Sequence, residues 1–212
     1  MNTQWVPIEV KGKCPALLID NWYNKEEEIL IWNELNFLNN SRNLLRSENT
    51  VTAQDDFGNP KSSSFRIYME EIYNNRSYSN IFFCMYKQQT KQFHNLLEKA
   101  LPMGRVFKDT THSSSLISYY EENDYYKEHY DVFLFTCLIW FYKEPKSYEG
   151  GDFSFTESDT IITSKHNRMC IFPSFYLHQV NPIKWLNTNK NKGYGRYTIT
   201  HFFYTNPIGV NE

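Results

Sequence analysis

The sequence has little of what marks several common protein classes. Only 8 glycines and 8 prolines occur among 212 residues, so the chain lacks the composition of a disordered protein. The longest largely apolar run, Val132 to Tyr142, spans 11 residues and is too short for a membrane-spanning helix. The net charge is only −2, which argues against a strongly basic nucleic-acid-binding protein.

The cysteines are few and are not arranged for a cysteine-based function. Cys14, Cys84, Cys137 and Cys170 lie far apart and form no C-x-x-C pair, so they predict neither a zinc ribbon nor a disulfide framework. Because the first fifteen residues contain Glu9 and no apolar core, we expect no secretory signal peptide. These patterns favour a reduced, cytoplasmic protein that has no membrane partner.

Aromatic residues, in contrast, are abundant, with 16 Phe, 16 Tyr and 5 Trp. This load favours a strand-rich fold. In the first half, Asn24 is followed by three acidic residues, which predicts the start of a helix over about 25–38 with Ile29, Trp32 and Leu35 on its apolar face. Residues 39–63 are expected to form a polar, turn-rich loop, and 78–101 one broken or two consecutive helices.

The second half of the chain is typical of short strands separated by turns. Helices followed by strands predict an α+β, mainly β, fold with a sandwich or barrel core. No linker is evident, so we expect a single domain over 1–212, with helical support at about 20–105 and the β core at about 114–206. The predicted strands are Ala16–Ile19, Ser64–Met69, Leu116–Tyr120, Val132–Tyr142, Asp152–Phe155, Thr160–Thr163, Met169–Phe172 and Tyr197–Tyr204.

Three residues form a candidate metal site. His129 and Asp131 flank Tyr130 just before an apolar strand, and side chains at i and i+2 of an extended segment point to the same face. His178 follows another short apolar strand. Two histidines and one carboxylate form the facial triad of non-haem Fe(II) oxygenases, which leaves coordination positions open. An H-x-D tripeptide alone is weak, and a pair of hydrogen-bonded surface residues is its commoner explanation.

A candidate anion site strengthens the metal prediction. Arg196 begins a strong β pattern, on which Thr198 and Thr200 share its face. A buried arginine needs an anionic partner, and a guanidinium binds a carboxylate with two parallel hydrogen bonds. An arginine that points into the cavity of an iron site fits a dicarboxylate cosubstrate. His201 is out of phase with Arg196, so we expect it to face away from that cavity.

Taken together, these motifs resemble the 2-oxoglutarate/Fe(II)-dependent dioxygenases, and within them the prolyl 4-hydroxylase-like branch. The resemblance covers about residues 114–206 and is weaker from residue 15. Its motifs are the stretch from Tyr120 to Asp131, the Gly150-Gly151 strand entry, the segment from Asn167 to Val180, and the strand from Arg196 to Thr200.

The resemblance implies a double-stranded β-helix, or jelly roll, with flanking N-terminal helices. It implies Fe(II) on His129, Asp131 and His178, and 2-oxoglutarate with its 5-carboxylate on Arg196. It also implies a reaction that consumes O₂, releases succinate and CO₂ and hydroxylates an unactivated C–H, with ascorbate as a possible reactivating reductant. The cosubstrate-binding candidates beside Arg196 are Tyr120, Thr198 and Trp140.

Some positions depart from the family pattern. Some prolyl hydroxylases carry a tyrosine that binds the 5-carboxylate together with the arginine. At that position this sequence has Trp140, which is either a cavity residue or a core residue. Tyr142, two residues further on, is the candidate to take the place of that tyrosine. The interval from His178 to Arg196 is long, and its segment 185–195 is either a substrate lid or an ordinary surface loop. Arg66 and Lys61 are either substrate contacts or, as is commoner for such residues, exposed charges.

Several functions are compatible with these motifs. The leading hypothesis is hydroxylation of a peptidyl proline, so that the partner is a peptide or protein; a free amino acid or other small molecule is the alternative. An alkylated-nucleic-acid demethylase is disfavoured because the last strand reads Arg196, Thr198, Thr200, Phe202 and lacks the R-x-N-x-T-x-R series of that group. A non-catalytic metal-binding β-helix is disfavoured because the triad and Arg196 are all present. The sequence does not indicate an oligomeric state.

Overall fold

The computed structural model describes residues 5–40, 43–186 and 193–205. Four α-helices precede most of the strands, and four short 3-10 helices lie among them. The α-helices are α1 (Lys25–Asn40), α2 (Met69–Ile72), α3 (Asn80–Cys84) and α4 (Lys91–Ala100). The 3-10 helices are Ser47–Asn49, Arg76–Tyr78, Met85–Gln89 and Gly104–Asp109. Among the described residues, no helix has the length and apolar character needed to cross a membrane.

Fifteen strands occur in the described part of the chain. Those of the first half are β1 (Pro7–Val10), β2 (Ala16–Ile19), β3 (Leu45–Arg46), β4 (Ser62–Ser63) and β5 (Phe65–Tyr68). The next five are β6 (His112–Tyr120), β7 (Tyr125–His129), β8 (Phe135–Phe141), β9 (Tyr148–Gly150) and β10 (Phe153–Phe155). The last five are β11 (Thr160–Ile162), β12 (Arg168–Pro173), β13 (His178–Val180), β14 (Ile183–Trp185) and β15 (Arg196–Tyr204).

Two antiparallel sheets form the centre of the molecule. The larger sheet has the strand order β1-β2-β12-β8-β15-β6-β5-β3, and the smaller has the order β11-β10-β13-β7-β4. One face of the larger sheet packs against the helices through a large apolar core that includes Leu35, Phe93 and Ile199. Its other face packs against the smaller sheet, where Trp140 and Phe153 belong to one buried cluster. This jelly-roll core with N-terminal helices confirms the predicted fold class.

Helix α1 begins as the sequence predicts. The Asn24 side chain accepts a hydrogen bond from the Glu27 backbone N–H at 2.9 Å, and the Glu27 carboxylate accepts one from the Asn24 N–H at 2.8 Å. This reciprocal pair is a capping box, which satisfies two otherwise free donors at the helix start. The predicted apolar face is rotated, however: Ile29 is 62% exposed, and Ile31 is buried in its place.

The expected loop at 39–63 and the expected strand list are only partly correct. Strands β3 and β4 lie within that segment. The sequence analysis missed them because a strand of two residues is too short to show an alternation of apolar and polar residues. The sequence analysis also missed β7 and β13, both of which carry a candidate metal ligand. Charged Lys127 and Glu128 interrupt any apolar alternation in β7, and β13 has only three residues. Pairing with neighbouring strands stabilises both.

A buried ion pair links α1 to the 3-10 helix Met85–Gln89, and we expect it to stabilise the folded protein. The Lys87 ammonium donates to the Glu27 carboxylate and, at 2.8 Å, to the backbone oxygen of Trp22. Replacing Lys87 by methionine leaves the buried Glu27 charge without its cation, so the free energy of unfolding in urea should fall by about 3 kcal/mol. The double variant Glu27→Gln/Lys87→Met should recover at least half of this loss. A single-variant change below about 0.5 kcal/mol would contradict the expectation.

Candidate metal and cosubstrate site

A cavity of about 350 Å³ lies between the two sheets. It is of the size that small-molecule sites commonly have. One face of β15 forms part of the cavity wall on the larger sheet. The residues of this face, which the sequence analysis predicted to point the same way, are Arg196, Thr198, Thr200 and Phe202. Its wall on the smaller sheet includes Tyr126, His129, Phe153, His178 and Val180. His201 is buried, but it bonds to Ser115 and does not line the cavity, as expected from its phase.

The three predicted metal ligands meet at this cavity. His129 ends β7 and His178 begins β13, and these two residues are directly paired across the antiparallel strands. The Asp131 carboxylate oxygens lie 3.7 Å from His129 Nε2 and 3.6 Å from His178 Nε2. One ligand atom from each residue lies within 4.8 Å of the others, and this is the one such cluster among the described residues.

Asp131 lies just beyond the strand that carries His129. The sequence analysis placed both residues on one face of an extended segment, and in the structure the strand itself ends at His129, two residues before Asp131. The loop that follows the strand is held in place by a backbone hydrogen bond of 3.0 Å from the Asp131 N–H to the Ser174 carbonyl. Exposed Tyr130 lies between the buried His129 and the partly buried Asp131, which agrees with the predicted placement of the two candidate ligands on one side of the chain.

Hydrogen bonds orient all three candidate ligands. His129 Nδ1 contacts the Lys127 carbonyl at 2.8 Å, and His178 Nδ1 contacts the Tyr176 carbonyl at 2.8 Å. Because a carbonyl only accepts, each Nδ1 carries the proton and each Nε2 lone pair faces the cluster. Burial and the neighbouring His178 hold the pKa of His129 well below its usual value, so the ring is neutral. Two neutral imidazoles and one carboxylate fit Fe(II).

Arg196 has the features of an anion-binding residue. It is 1% exposed, lines the cavity, and its guanidinium lies 4.3 Å from the centre of the Tyr120 ring. One terminal nitrogen donates to the Gly151 carbonyl, while the buried Nε has no hydrogen-bond partner in the structure. The buried Thr198 hydroxyl, on the same face, is also without a partner. Two unsatisfied polar groups beside the metal cluster fit the carboxylate end of a bound cosubstrate.

The comparisons with known proteins agree with this geometry. The model of the 2OG-Fe(II) oxygenase superfamily matches residues 115–204, which include the triad and Arg196. The chain carries a 2OG-Fe(II) oxygenase domain. The expected enzyme class, a dioxygenase of this superfamily, is thereby confirmed. A comparison with curated proteins finds no match to the sequence.

Solved structures of prolyl hydroxylases share the fold of this oxygenase domain at low sequence identity. A Pseudomonas putida prolyl-4-hydroxylase superposes with a TM-score of 0.62 at 11% identity, covering 92% of this chain and 95% of that one. A Trichoplax adhaerens prolyl hydroxylase, in complex with a hypoxia inducible factor peptide fragment, gives 0.58 at 12% identity, covering 89% and 83%. The viral collagen prolyl hydroxylase of Paramecium Bursaria Chlorella virus-1, as a 2OG complex, gives 0.52 at 16%, covering 89% and 94%.

The remaining cosubstrate candidates of the oxygenase domain have distinct positions. Tyr120 and Trp140 both line the cavity and are buried. Trp140 pairs with Thr198 across β8 and β15, so the two lie in one row on the cavity face. Burial raises the pKa of Tyr120, so its phenol keeps the proton that a carboxylate could accept.

The alternative residue Tyr142 lies elsewhere. It packs edge-on against Tyr148 at 5.9 Å, and it is not among the cavity-lining residues. The sequence analysis missed Tyr148, which is buried near enough to Arg196 for that charge to act on its phenol. Tyr148 precedes the Gly150-Gly151 motif by two residues, and this proximity is the only sequence signal that pointed to it.

Of the two alternatives for Arg66, a substrate contact or an exposed charge, the exposed charge is wrong. Its side chain is only 2% exposed and lines the cavity, because β5 pairs with β6 and turns Arg66 toward the smaller sheet. Lys61 is half-buried and is not among the cavity-lining residues. In the segment 185–195, residues 187–192 lie outside the described residues, and Trp185 ends β14.

A buried threonine supports the Asp131 carboxylate of the oxygenase domain. Thr136 Oγ1 donates to Asp131 Oδ2 at 2.6 Å and is itself fully buried. Replacing Thr136 by valine keeps the shape and removes the donor, so Fe(II) affinity should fall by roughly 10–100-fold, because residues that orient metal ligands have effects of this size. Equilibrium metal titration measures it. The same change at exposed Thr163 should leave the affinity unaltered, and equal affinities for both variants would contradict the expectation.

Proposed function

We propose that the chain is an Fe(II)- and 2-oxoglutarate-dependent hydroxylase that acts on a peptidyl proline. One observation carries the proposal: the cluster of His129, Asp131 and His178 shares a single cavity with the buried, incompletely bonded Arg196. A metal triad alone serves many purposes, and a buried arginine alone needs no metal. Together they supply what a chelating dicarboxylate cosubstrate requires.

In this proposal each residue has one role. His129, Asp131 and His178 hold Fe(II), and Arg196 binds the 5-carboxylate of 2-oxoglutarate. Thr198 and Tyr120 donate hydrogen bonds to the same carboxylate, and Trp140 closes the wall beside it. When bound, the iron and 2-oxoglutarate supply the oxidation of a C–H bond by O₂, with release of succinate and CO₂. The residues of this chain fix the geometry of that reaction and limit the access of water.

The entrance to the cavity supports a peptide substrate. Exposed apolar side chains surround it, since Val51 is 76% exposed and Val132 is 82% exposed. A rim of this kind suits a partner with apolar backbone and side-chain surface. The prolyl hydroxylases that share the fold, one of them bound to a peptide, support proline as the target.

The function is tested by product analysis. The purified protein is incubated with Fe(II), 2-oxoglutarate, ascorbate and a library of proline-containing peptides under air. We expect a mass increase of one oxygen atom on proline, with one succinate formed for each hydroxylated residue. A matched library in which alanine replaces proline should give no oxygenated peptide. Oxygen incorporation on the alanine library, or on free L-proline but on no peptide, would contradict peptidyl proline as the substrate.

A further inference from the structure

Arg66 is a second buried arginine in the cavity, and the proposed cosubstrate does not use it. It pairs with Ser118 across β5 and β6, Ser118 pairs with Thr198 across β6 and β15, and Thr198 pairs with Trp140. These four residues form one row on the cavity face of the larger sheet. Because neighbouring strands lie about 4.8 Å apart, the backbone of Arg66 is about 10 Å from that of Thr198. Arg66 and Arg196 thus enter the cavity from different positions on its wall, and the charges of both act on the Tyr120 phenol.

The hydrogen bonds of Arg66 within the protein are weak and incomplete. Its terminal nitrogens contact the Val51 carbonyl and the Ser62 hydroxyl, each at 3.4 Å, and its buried Nε has no partner. Among the described residues, no carboxylate lies within ion-pair distance of Arg66. A buried guanidinium without an anion is costly, so the position calls for a negatively charged group from outside the chain.

Arg66 is also close to the proposed reaction centre. Its guanidinium lies 5.1 Å from the centre of the Tyr126 ring, and that ring stacks on His129 with 3.6 Å between ring centres. A single aromatic ring therefore separates Arg66 from a proposed metal ligand. A group held by Arg66 would therefore lie in the same cavity as the proposed metal site.

The charges of the cavity indicate how many negative charges are missing. With the proposed ligands bound, Fe(II) and Arg196 supply three positive charges, and Asp131 and the 2-oxoglutarate dianion supply three negative charges. The two histidines are neutral. Arg66 is then the only uncompensated charge among the cavity-lining residues. A monoanion balances it, whereas a phosphate dianion would leave an excess.

We propose that Arg66 binds a carboxylate of the substrate itself, so that the enzyme selects an acidic substrate. This inference rests on the proposed function, because it takes the cosubstrate to be on Arg196. The same chemistry is available from the α-carboxylate of a free amino acid, from the C-terminus of a peptide, or from an acidic side chain next to the target residue. A planar carboxylate matches the guanidinium in each case.

The test compares each carboxylate with its neutral amide. Zn(II) replaces Fe(II), saturating 2-oxoglutarate occupies Arg196, and binding is measured by calorimetry without turnover. The pairs are L-proline and L-prolinamide, acetyl-Ala-Pro-Ala with a free or amidated C-terminus, and acetyl-Ala-Pro-Glu-amide with acetyl-Ala-Pro-Gln-amide. A proton–nitrogen correlation spectrum monitors the Arg66 Nε–H, which is assigned from the Arg66→Lys variant.

We expect the carboxylate of at least one pair to bind about tenfold more tightly than its amide and to shift the Arg66 Nε–H signal. The pair that responds identifies the source of the carboxylate; a response of the L-proline pair alone would keep the role of Arg66 and replace peptidyl proline by a free amino acid as the substrate. Arg66→Gln should remove the preference, and Arg105→Gln, at an exposed arginine away from the cavity, should keep it. The wild-type spectrum remains decisive if Arg66→Gln fails to fold.

Two results would overturn the inference in distinguishable ways. If 2-oxoglutarate binds but every carboxylate and amide bind alike, with no shift of the Arg66 Nε–H, then Arg66 does not select the substrate and the proposed function stands. If 2-oxoglutarate itself does not bind to the Zn(II) protein, the proposed function and the inference both fail.

Discussion

Replacing Asp131 by alanine is expected to abolish the formation of succinate from 2-oxoglutarate. The substitution removes the only carboxylate of the metal cluster and leaves two neutral imidazoles, which hold a divalent cation far more weakly. Fe(II) affinity should fall by more than the roughly 10–100-fold that accompanies the loss of a supporting residue. Metal titration and succinate measurement on the same samples test both statements.

The control for Asp131 is an aspartate outside the cavity. Asp109 is exposed at the end of a 3-10 helix, so Asp109→Ala should bind Fe(II) like the original protein. Unfolding in urea checks that Asp131→Ala is folded, since its side chain accepts from Thr136. Unchanged Fe(II) affinity and succinate formation in a folded Asp131→Ala variant would remove Asp131 from the metal site.

Replacing Arg196 by glutamine is expected to weaken the binding of 2-oxoglutarate by roughly a hundredfold, while metal binding is retained. Charge-assisted hydrogen bonds contribute about 1.5–3 kcal/mol each, and about 2.7 kcal/mol corresponds to a hundredfold. Arg196→Lys should recover only part of the affinity, because an ammonium lacks the paired donors of a guanidinium. Titration of 2-oxoglutarate under anaerobic conditions, with Fe(II) present, measures the change.

An arginine of the surface provides the matched control for Arg196. Arg105 is exposed in the 3-10 helix Gly104–Asp109, and Arg105→Gln should bind 2-oxoglutarate with unchanged affinity. If Arg196→Gln binds as tightly as the control, the carboxylate role of Arg196 is wrong. If it instead loses Fe(II), then Arg196 supports the metal site and not the cosubstrate.

The features that could be predicted from the sequence are those with a local signal. The capping box of Asn24 and Glu27 lies within four residues, and the alternation of Arg196, Thr198 and Thr200 on β15 follows the period of a strand. The long strands β8 and β12 are detectable from their nearly continuous apolar runs. Both predicted halves of the metal site also meet, with Asp131 two residues beyond the end of β7.

The features that escaped prediction depend on contacts that are distant in the sequence. Arg66 is buried because β5 pairs with β6, some fifty residues further along the chain, and no local pattern distinguishes it from a surface arginine. Strand β7 is stabilised by pairing with β4 and β13, and its own residues are largely polar. Tyr148 lies near Arg196 only after the sheets pack.

The most direct measurement of the central claim is anaerobic absorption spectroscopy of the metal-free protein to which Fe(II) and then 2-oxoglutarate are added. The account predicts the weak visible band of a 2-oxo acid chelated to iron, its loss in Asp131→Ala, and its appearance in Arg196→Gln only at about a hundredfold higher cosubstrate concentration. A protein that binds Fe(II) but gives no band at any concentration of 2-oxoglutarate would contradict the account.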